Sequence, residues 1–385
     1  MQLTRRSFIK GAASSLFLAG FPAYGLDENK RLGNIVVILL EGGMDGLLAI
    51  PPIGDKNLLD QRAELVPKNL INLDDFFYAH PNLKDFSSLY RSNEAALVHA
   101  TAMPYVKRSH FEGQNIMESG NLIPFADKTG WLGRALDEAK IPGRALALNM
   151  PLILRGHRDV DNYYPAKLKG SSQAHSLTAN ILASAHQGLS KDSFKKLEKK
   201  YQIFSPDRPR NVEELAKYAG QEIAKPFGPK AAVLRVGRFD THAKQGSNEG
   251  QHSEQILKVN NVFESLKRNL GNAWQDTIIV TLTEFGRTVS ANGSEGTDHG
   301  YGSVGLLAGG LINSAYVYSD WPGLKQKNLY EERDLYATTD YRSVLAYAIE
   351  AAYKIPHDRV TEKIFYDSSI PSIAKHFNQQ ISKVI

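Results

Sequence analysis

Residues 34–40, NIVVILL, form an unbroken apolar run that stops at Glu41-Gly42-Gly43. Seven residues rich in Ile, Val and Leu, closed by a glycine turn, read as a fully buried β-strand. Such a strand has no face to show to water, which points to a sheet covered on both sides. Further apolar runs follow: AALVHATAM from Ala95, KAAVLRV from Lys230, DTIIVTL from Asp276 and the stretch after GTDHGYG. RALALNM, 144–150, reads as one more strand.

Between these runs the apolar period changes to that of a helix. In 252–270, Ile256, Val259, Val262, Phe263, Leu266 and Leu270 recur at helical spacing. Residues 76–93 read as helix, and TTDYRSVLAYAIEAAY reads as a closing helix with Asp340 near its start. KRSHFEGQNIMESG reads as a helix start, with Ser109 in its first turn and Glu112 three residues on, a capping-box pattern. Residues 155–225 are polar and rich in Lys, Ser and Ala, and read as a mostly helical insertion or lid. The alternation implies an α/β fold with a parallel-rich sheet.

Charge and cysteine content exclude some chemistry. The formal net charge is +5, but Arg5, Arg6 and Lys10 lie in a leader with no acid before residue 26, so removal of that leader leaves +2. No basic block stands out, so a nucleic-acid partner has no electrostatic footprint. Cysteine is absent, which removes disulfides, thiolate metal sites and Cys nucleophiles. The leader itself, TRRSFIK followed by GAASSLFLAGF and PAYG, reads as a twin-arginine export signal over residues 1–25. Its apolar part is shorter than the ~20 residues of a membrane span. The expected organisation is a signal, 1–25, and one domain, 26–385, with no integral span in the mature chain. The twin-arginine machinery would be a partner, and the destination periplasmic or extracellular.

Polar residues gather where the strands end: Asp45, Ser109 with His110, Asp240 with His242, Glu284 with Arg287, and Asp298 with His299. In a parallel sheet those ends share one edge, where ligands bind. Carboxylates and imidazoles converging there suit one or two divalent ions, Zn, Mn, Mg or Ca. Each residue also has a plainer reading. Asp45 can bond its own turn, Ser109 can be a helix cap, Glu284 and Arg287 can be an ion pair, and His110 can be packed or exposed. His299, fenced by Gly296, Gly300 and Gly302, is the strongest ligand candidate, with Asp298 placed to orient it. The remaining histidines read as ordinary.

The motifs LLEGGMDGL, RSHFEGQ, TGWLGRAL, RFDTHAKQG, TLTEFGRTVSANGSEGTDHGYG and TTDYRSVL, with the twin-arginine start, resemble the exported family called domain of unknown function 1501. That family is similar to the alkaline phosphatase and sulfatase superfamily. The resemblance implies an alkaline-phosphatase-like three-layer sandwich with a large, mostly parallel central sheet and a helical insertion. It implies Asp45 as the strand-end ligand of the metal nearest the nucleophile, Ser109 as that nucleophile, and Asp240 with His242 on the other metal. Glu284 would follow the strand where the superfamily places an Asp-His pair, and His299 would be the late His ligand. Arg287 or Lys107 would hold the substrate's anionic oxygens. The implied activity is metal-dependent hydrolysis of phosphate or sulfate esters, of a small molecule or a polymer. The alternative is a non-catalytic binding protein that keeps the fold and at most one structural metal. Two departures stand out: Phe285 occupies a position where the superfamily has His, and the Cys/Ser-x-Pro-x-Arg pattern of formylglycine sulfatases is missing from MPYVKRSHF.

Overall fold

A computed structural model describes residues 16–19, 32–141, 151–156, 211–226 and 228–377. Eight strands form one sheet: β1 Leu16–Ala19, β2 Asn34–Leu40, β3 Ala95–Ala102, β4 Ala231–Val236, β5 Thr277–Thr283, β6 Ser303–Ala308, β7 Val317–Tyr318 and β8 Thr339–Asp340. Their order is β1-β4-β2-β5-β6-β3-β8, and β7 also pairs with β3. β4, β2 and β5 run parallel, and β3 runs parallel to β8 and β7. β6 runs antiparallel to both of its neighbours, β5 and β3, and β1 runs antiparallel to β4.

The period of two along each strand sorts its side chains between two cores. Ile35, Val37, Leu39, Val233, Ile278 and Val280 face one side, where they meet helices α4 His110–Ser119, α5 Trp131–Glu138 and α8 Tyr341–Tyr353. Val36, Ile38, Leu40, Leu234 and Ile279 face the other side, packed by α3 Lys84–Arg91, α6 Val212–Ile223 and α7 Gln251–Leu270. Two short helices, α1 Gly46–Ala49 and α2 Asn57–Arg62, follow the end of β2. The result is the expected α/β sandwich of three layers.

Several local expectations change. The segment 76–93 is helical only from Pro81: Tyr78 and Ala79 pair with Asn72 and Ile71, and a 3-10 turn leads into α3. Ser109 is the N-cap residue of α4, yet its side chain makes no capping bond. Glu112 Oε2 instead accepts from the Tyr105 hydroxyl at 2.9 Å, and the same hydroxyl oxygen accepts from the Ser109 N–H at 3.1 Å. The helix VEELAKYAGQEI, which falls in the stretch 155–225 expected to be an insertion or lid, buries Val212, Leu215, Ala216, Ala219 and Ile223 and belongs to the layer beneath the sheet. The rest of the insertion between 157 and 210 and the expected strand 144–150 lie outside the described residues. So does the leader, apart from the backbone of β1 beside β4. No helix among the described residues is long and apolar enough to cross a membrane.

One topological feature positions the site. β5 and β6 pair at Ile279–Ala308 and Val280–Leu307, and beyond that they splay. The Tyr341 hydroxyl enters the gap and donates to the Thr281 carbonyl, and Gly305 leaves room for it, since a Cβ there would lie 2.3 Å from that hydroxyl. The loop 284–302 fills the splayed end. Because β6 is reversed, its beginning lies on the same sheet edge as the ends of β2, β3, β4 and β5.

Candidate metal centre

Three chain segments meet at that edge. The end of β4 turns through Arg238, at φ +73°, and delivers Asp240. The end of β3 leads through 103–109 to His110, the first residue of α4. The loop before β6 delivers His299. Ligand atoms of His110, Asp240 and His299 all lie within 4.8 Å of one another. His242 joins them: its Nε2 is 2.9 Å from Asp240 Oδ1 and 3.0 Å from His299 Nε2.

The protonation of each ring follows from what its far nitrogen touches. His110 Nδ1 donates to Glu284 Oε1 at 2.9 Å, His242 Nδ1 donates to Asp298 Oδ1 at 3.1 Å, and His299 Nδ1 donates to the Arg108 carbonyl at 2.9 Å. In the neutral form all three rings therefore carry a lone pair on Nε2. All three Nε2 atoms face Asp240, whose Oδ1 is 3.0 Å from His299 Nε2 and whose Oδ2 is 3.3 Å from His110 Nε2. Of these, the buried His110 Nε2 has no properly oriented hydrogen-bond partner. Lone pairs pointed at one another repel. A divalent cation among them turns that repulsion into coordination, and three imidazoles with one carboxylate match the borderline ligands zinc prefers. The donor set thus fits the metal that the resemblance implies.

Without a cation, protons fill the same role. Burial pulls the His110 pKa down, but the neighbouring carboxylates of Asp240 and Glu284 outweigh it and raise it to about 9. Burial raises Asp240, but hydrogen bonds from His110, His299 and Arg287 hold it well below the carboxylate range.

The other sequence candidates lie around this cluster in different roles. Glu284 is fully buried and stands behind His110, where its Oε1 also accepts from the Gly42 N–H at 2.8 Å. Arg287 is equally buried. Its Nη1 donates to Asp240 Oδ1 at 2.9 Å and to the Gly42 carbonyl at 3.2 Å, its Nε donates to Thr297 Oγ1 at 3.1 Å, and its Nη2 donates to the Thr297 carbonyl. Every nitrogen of that guanidinium is engaged within the protein. Asp45 is not part of the cluster. It caps α1 through the Leu48 N–H, pairs with the buried Arg62 and accepts from Gln245 Nε2 at 2.7 Å. Ser109, half-buried, directly precedes His110, and Lys107, two residues before Ser109, is 72% exposed. Phe285 is a wall: its ring centre lies 5.0 Å from that of His110 and 4.7 Å from that of His299. The glycines around His299 allow close backbone approach: a Cβ on Gly296 or Gly300 would lie 2.4 Å from backbone atoms of His242 or Arg287. Neither has a positive φ.

His110 is the ligand candidate that sequence reasoning undervalued. Ser109 drew attention as a cap and as a nucleophile position, but the first residue of the helix carries the donor atom. The available signal was its place, at the helix start reached from the end of β3.

Residues 226–365 match the family model described as "Protein of unknown function (DUF1501)", and over this stretch the resemblance read from the motifs is borne out. The match contains Asp240, His242, Glu284, Arg287 and His299. No curated protein matches the chain at the level of sequence. Among solved structures, the C-terminal periplasmic domain of EcEptC from Escherichia coli is 11% identical, covers 92% of this chain and 91% of its own, and has a TM-score of 0.42. The PsFucS1 sulfatase from Pseudoalteromonas sp. is 12% identical over 90% of this chain and 76% of its own, at TM-score 0.37. The phosphonate monoester hydrolase of Agrobacterium radiobacter is 11% identical over 75% of this chain and 70% of its own, at TM-score 0.29. These alignments are loose, and the architecture described above rests on the chain's own strand order.

Proposed function

We propose that this chain is an exported, metal-dependent hydrolase of phosphate or sulfate esters, with one divalent ion held by His110, Asp240, His299 and His242. The observation that carries the metal is the common tautomer of three imidazoles, each fixed by a different acceptor and each presenting Nε2 to Asp240. When bound, such an ion supplies Lewis acidity to an ester oxygen and lowers the pKa of an adjacent hydroxyl.

The chain's own residues supply the rest. Ser109 provides the hydroxyl, at the start of a ten-residue helix whose free N–H groups favour an anion. Its oxygen would form the bond to phosphorus or sulfur as the bond to the alkoxide breaks, the hydroxyl proton ending on the leaving alcohol. Water would later break the serine ester, releasing the acid and restoring the hydroxyl. We assign the anionic oxygens to Lys107, an exposed cation two residues from Ser109 with its Nζ 4.0 Å from Glu112 Oε2, since Arg287 is fully engaged. Phe285 occupies the place of a second imidazole, which supports one ion. The same residue favours the second reading, a binding protein that keeps a single structural metal. Export rests on the leader with Arg5 and Arg6.

Metal content by mass spectrometry, on protein purified after export without added metal, is the first test. About one equivalent of ion, lost in His110→Ala and His299→Ala, supports the centre. A protein without metal that cannot be reloaded overturns it. Phosphomonoester, phosphodiester and sulfate-ester substrates then separate the two readings: turnover abolished by Ser109→Ala with ion retained supports the hydrolase, and no turnover of any ester supports the binding protein. Arg5→Lys with Arg6→Lys should hold the chain in the cytoplasm, and unchanged export would remove the twin-arginine assignment.

A further inference from the structure

A connected chain of buried hydrogen bonds, whose donors converge from both sides on Gln245 Oε1, links the floor of the sheet edge to Asp240. His252 accepts the Asp45 N–H on Nε2 at 3.0 Å, so its Nδ1 carries the proton and donates to Thr241 Oγ1 at 3.0 Å. Thr241 Oγ1 donates onward to Gln245 Oε1 at 2.9 Å. Thr297 Oγ1 donates to the same Gln245 oxygen at 2.6 Å and accepts from Arg287 Nε at 3.1 Å. Gln245 Nε2 donates to Asp45 Oδ2, which Arg62 neutralises. Thr241, Gln245, His252, Thr297 and Arg287 are all buried. Reversing the Gln245 amide would aim its nitrogen at two hydroxyls and its oxygen at a carboxylate, so only one orientation satisfies the set.

The terminus of this chain is Arg287 Nη1 on Asp240 Oδ1. Asp240 itself is partly exposed, and no backbone N–H among the described residues holds that oxygen, so Arg287 fixes its rotamer from inside. We infer that Thr297 and Gln245 are positioning residues for the metal centre: they hold Arg287, and through it the carboxylate, in the geometry that meets the three imidazoles. Neither touches a ligand atom. The inference rests on the metal reading above and predicts that affinity is set partly by residues outside the cluster, as outer hydrogen bonds do for metal ligands generally.

Cobalt(II) alone is the probe, since its visible spectrum reports ligand geometry and its affinity is read by chelator competition. Thr297→Val keeps shape and removes the hydroxyl, and Thr297→Ser restores it. Thr297→Val should weaken Co(II) binding about 10-fold, toward the ~10–100-fold range for outer-shell losses, and shift the spectrum. Thr297→Ser should return both to wild type. Gln245→Met should act in the same direction, and serves in place of Thr297→Val if that variant's far-ultraviolet dichroism shows it unfolded. His110→Ala and His299→Ala separate the two ideas. If they lose Co(II) while folded Thr297→Val and Gln245→Met bind and absorb as wild type, the positioning role is overturned and the centre stands. If His110→Ala and His299→Ala bind Co(II) as wild type does, the metal reading itself fails.

Discussion

Asp298 holds His242 and leaves its own neighbour, His299, to a carbonyl. Its Oδ1 accepts from His242 Nδ1 at 3.1 Å and from Asn292 Nδ2 at 3.1 Å, while His299 Nδ1 donates to Arg108 at 2.9 Å. Adjacent residues in an extended segment point to opposite sides. An Asp-His pair side by side in sequence therefore serves two rings: one residue is a donor to the cluster and the other steadies a donor contributed by a different loop.

Glu284 stands behind His110 in the same way, so Glu284→Gln should weaken the ion without abolishing its site. The expected loss is ~10–100-fold in Kd, with about one equivalent still bound at saturation. Isothermal titration with Co(II) measures both. Failure to bind at any concentration would make Glu284 a direct ligand.

Asp45 answers to Arg62. Asp45→Asn leaves a buried guanidinium without its counter-charge, which costs about 3–5 kcal/mol. Urea denaturation reads that cost, and the variant should still take up a full equivalent of ion. Unchanged stability with lost ion would place Asp45 at the metal.

Gly300→Ala should destabilise through contact rather than backbone conformation. Its φ is not positive, but the added Cβ would lie 2.4 Å from the Arg287 carbonyl. Overpacking of this kind costs about 1–3 kcal/mol. A thermal melt within a degree of wild type would show that the loop gives way freely.

Acid should loosen the fold through two buried histidines. Burial lowers His252 to about 3 and His99 to about 4, against ~6.5 in the unfolded chain. Their contribution is complete above pH ~6.5 and is lost as pH falls from there toward those values, because the unfolded state takes protons the folded state refuses. Each adds up to about 1.4 kcal/mol per pH unit. Urea midpoints between pH 7 and pH 4 should fall less steeply in His252→Gln than in wild type, and parallel slopes would contradict the assignment.

Much of the scaffold is legible from the chain because burial writes itself in simple periods. NIVVILL and the run at Thr277 are apolar throughout and became central strands, and the spacing from Ile256 to Leu270 became α7. The reversal of β6 is legible only indirectly: 284–302 has no helical period, and a parallel return needs a crossover that is usually helical. Which carboxylate meets which ring is not written locally. Asp45 looks like a ligand until Arg62 and Gln245 are brought to it, and Asp240 looks like one of several acids until three imidazoles close on it. Those pairings are set by strand order, which no window of neighbouring residues contains.

The reversed strand also fixes when the site can exist. Asp240 and His110 emerge from the ribosome well before His299, and His299 reaches them only after β6 has been laid between β5 and β3. An ion offered to the growing chain would find scattered imidazoles and no pocket. If the proposed ion binds, its loading would therefore wait for the last stage of folding.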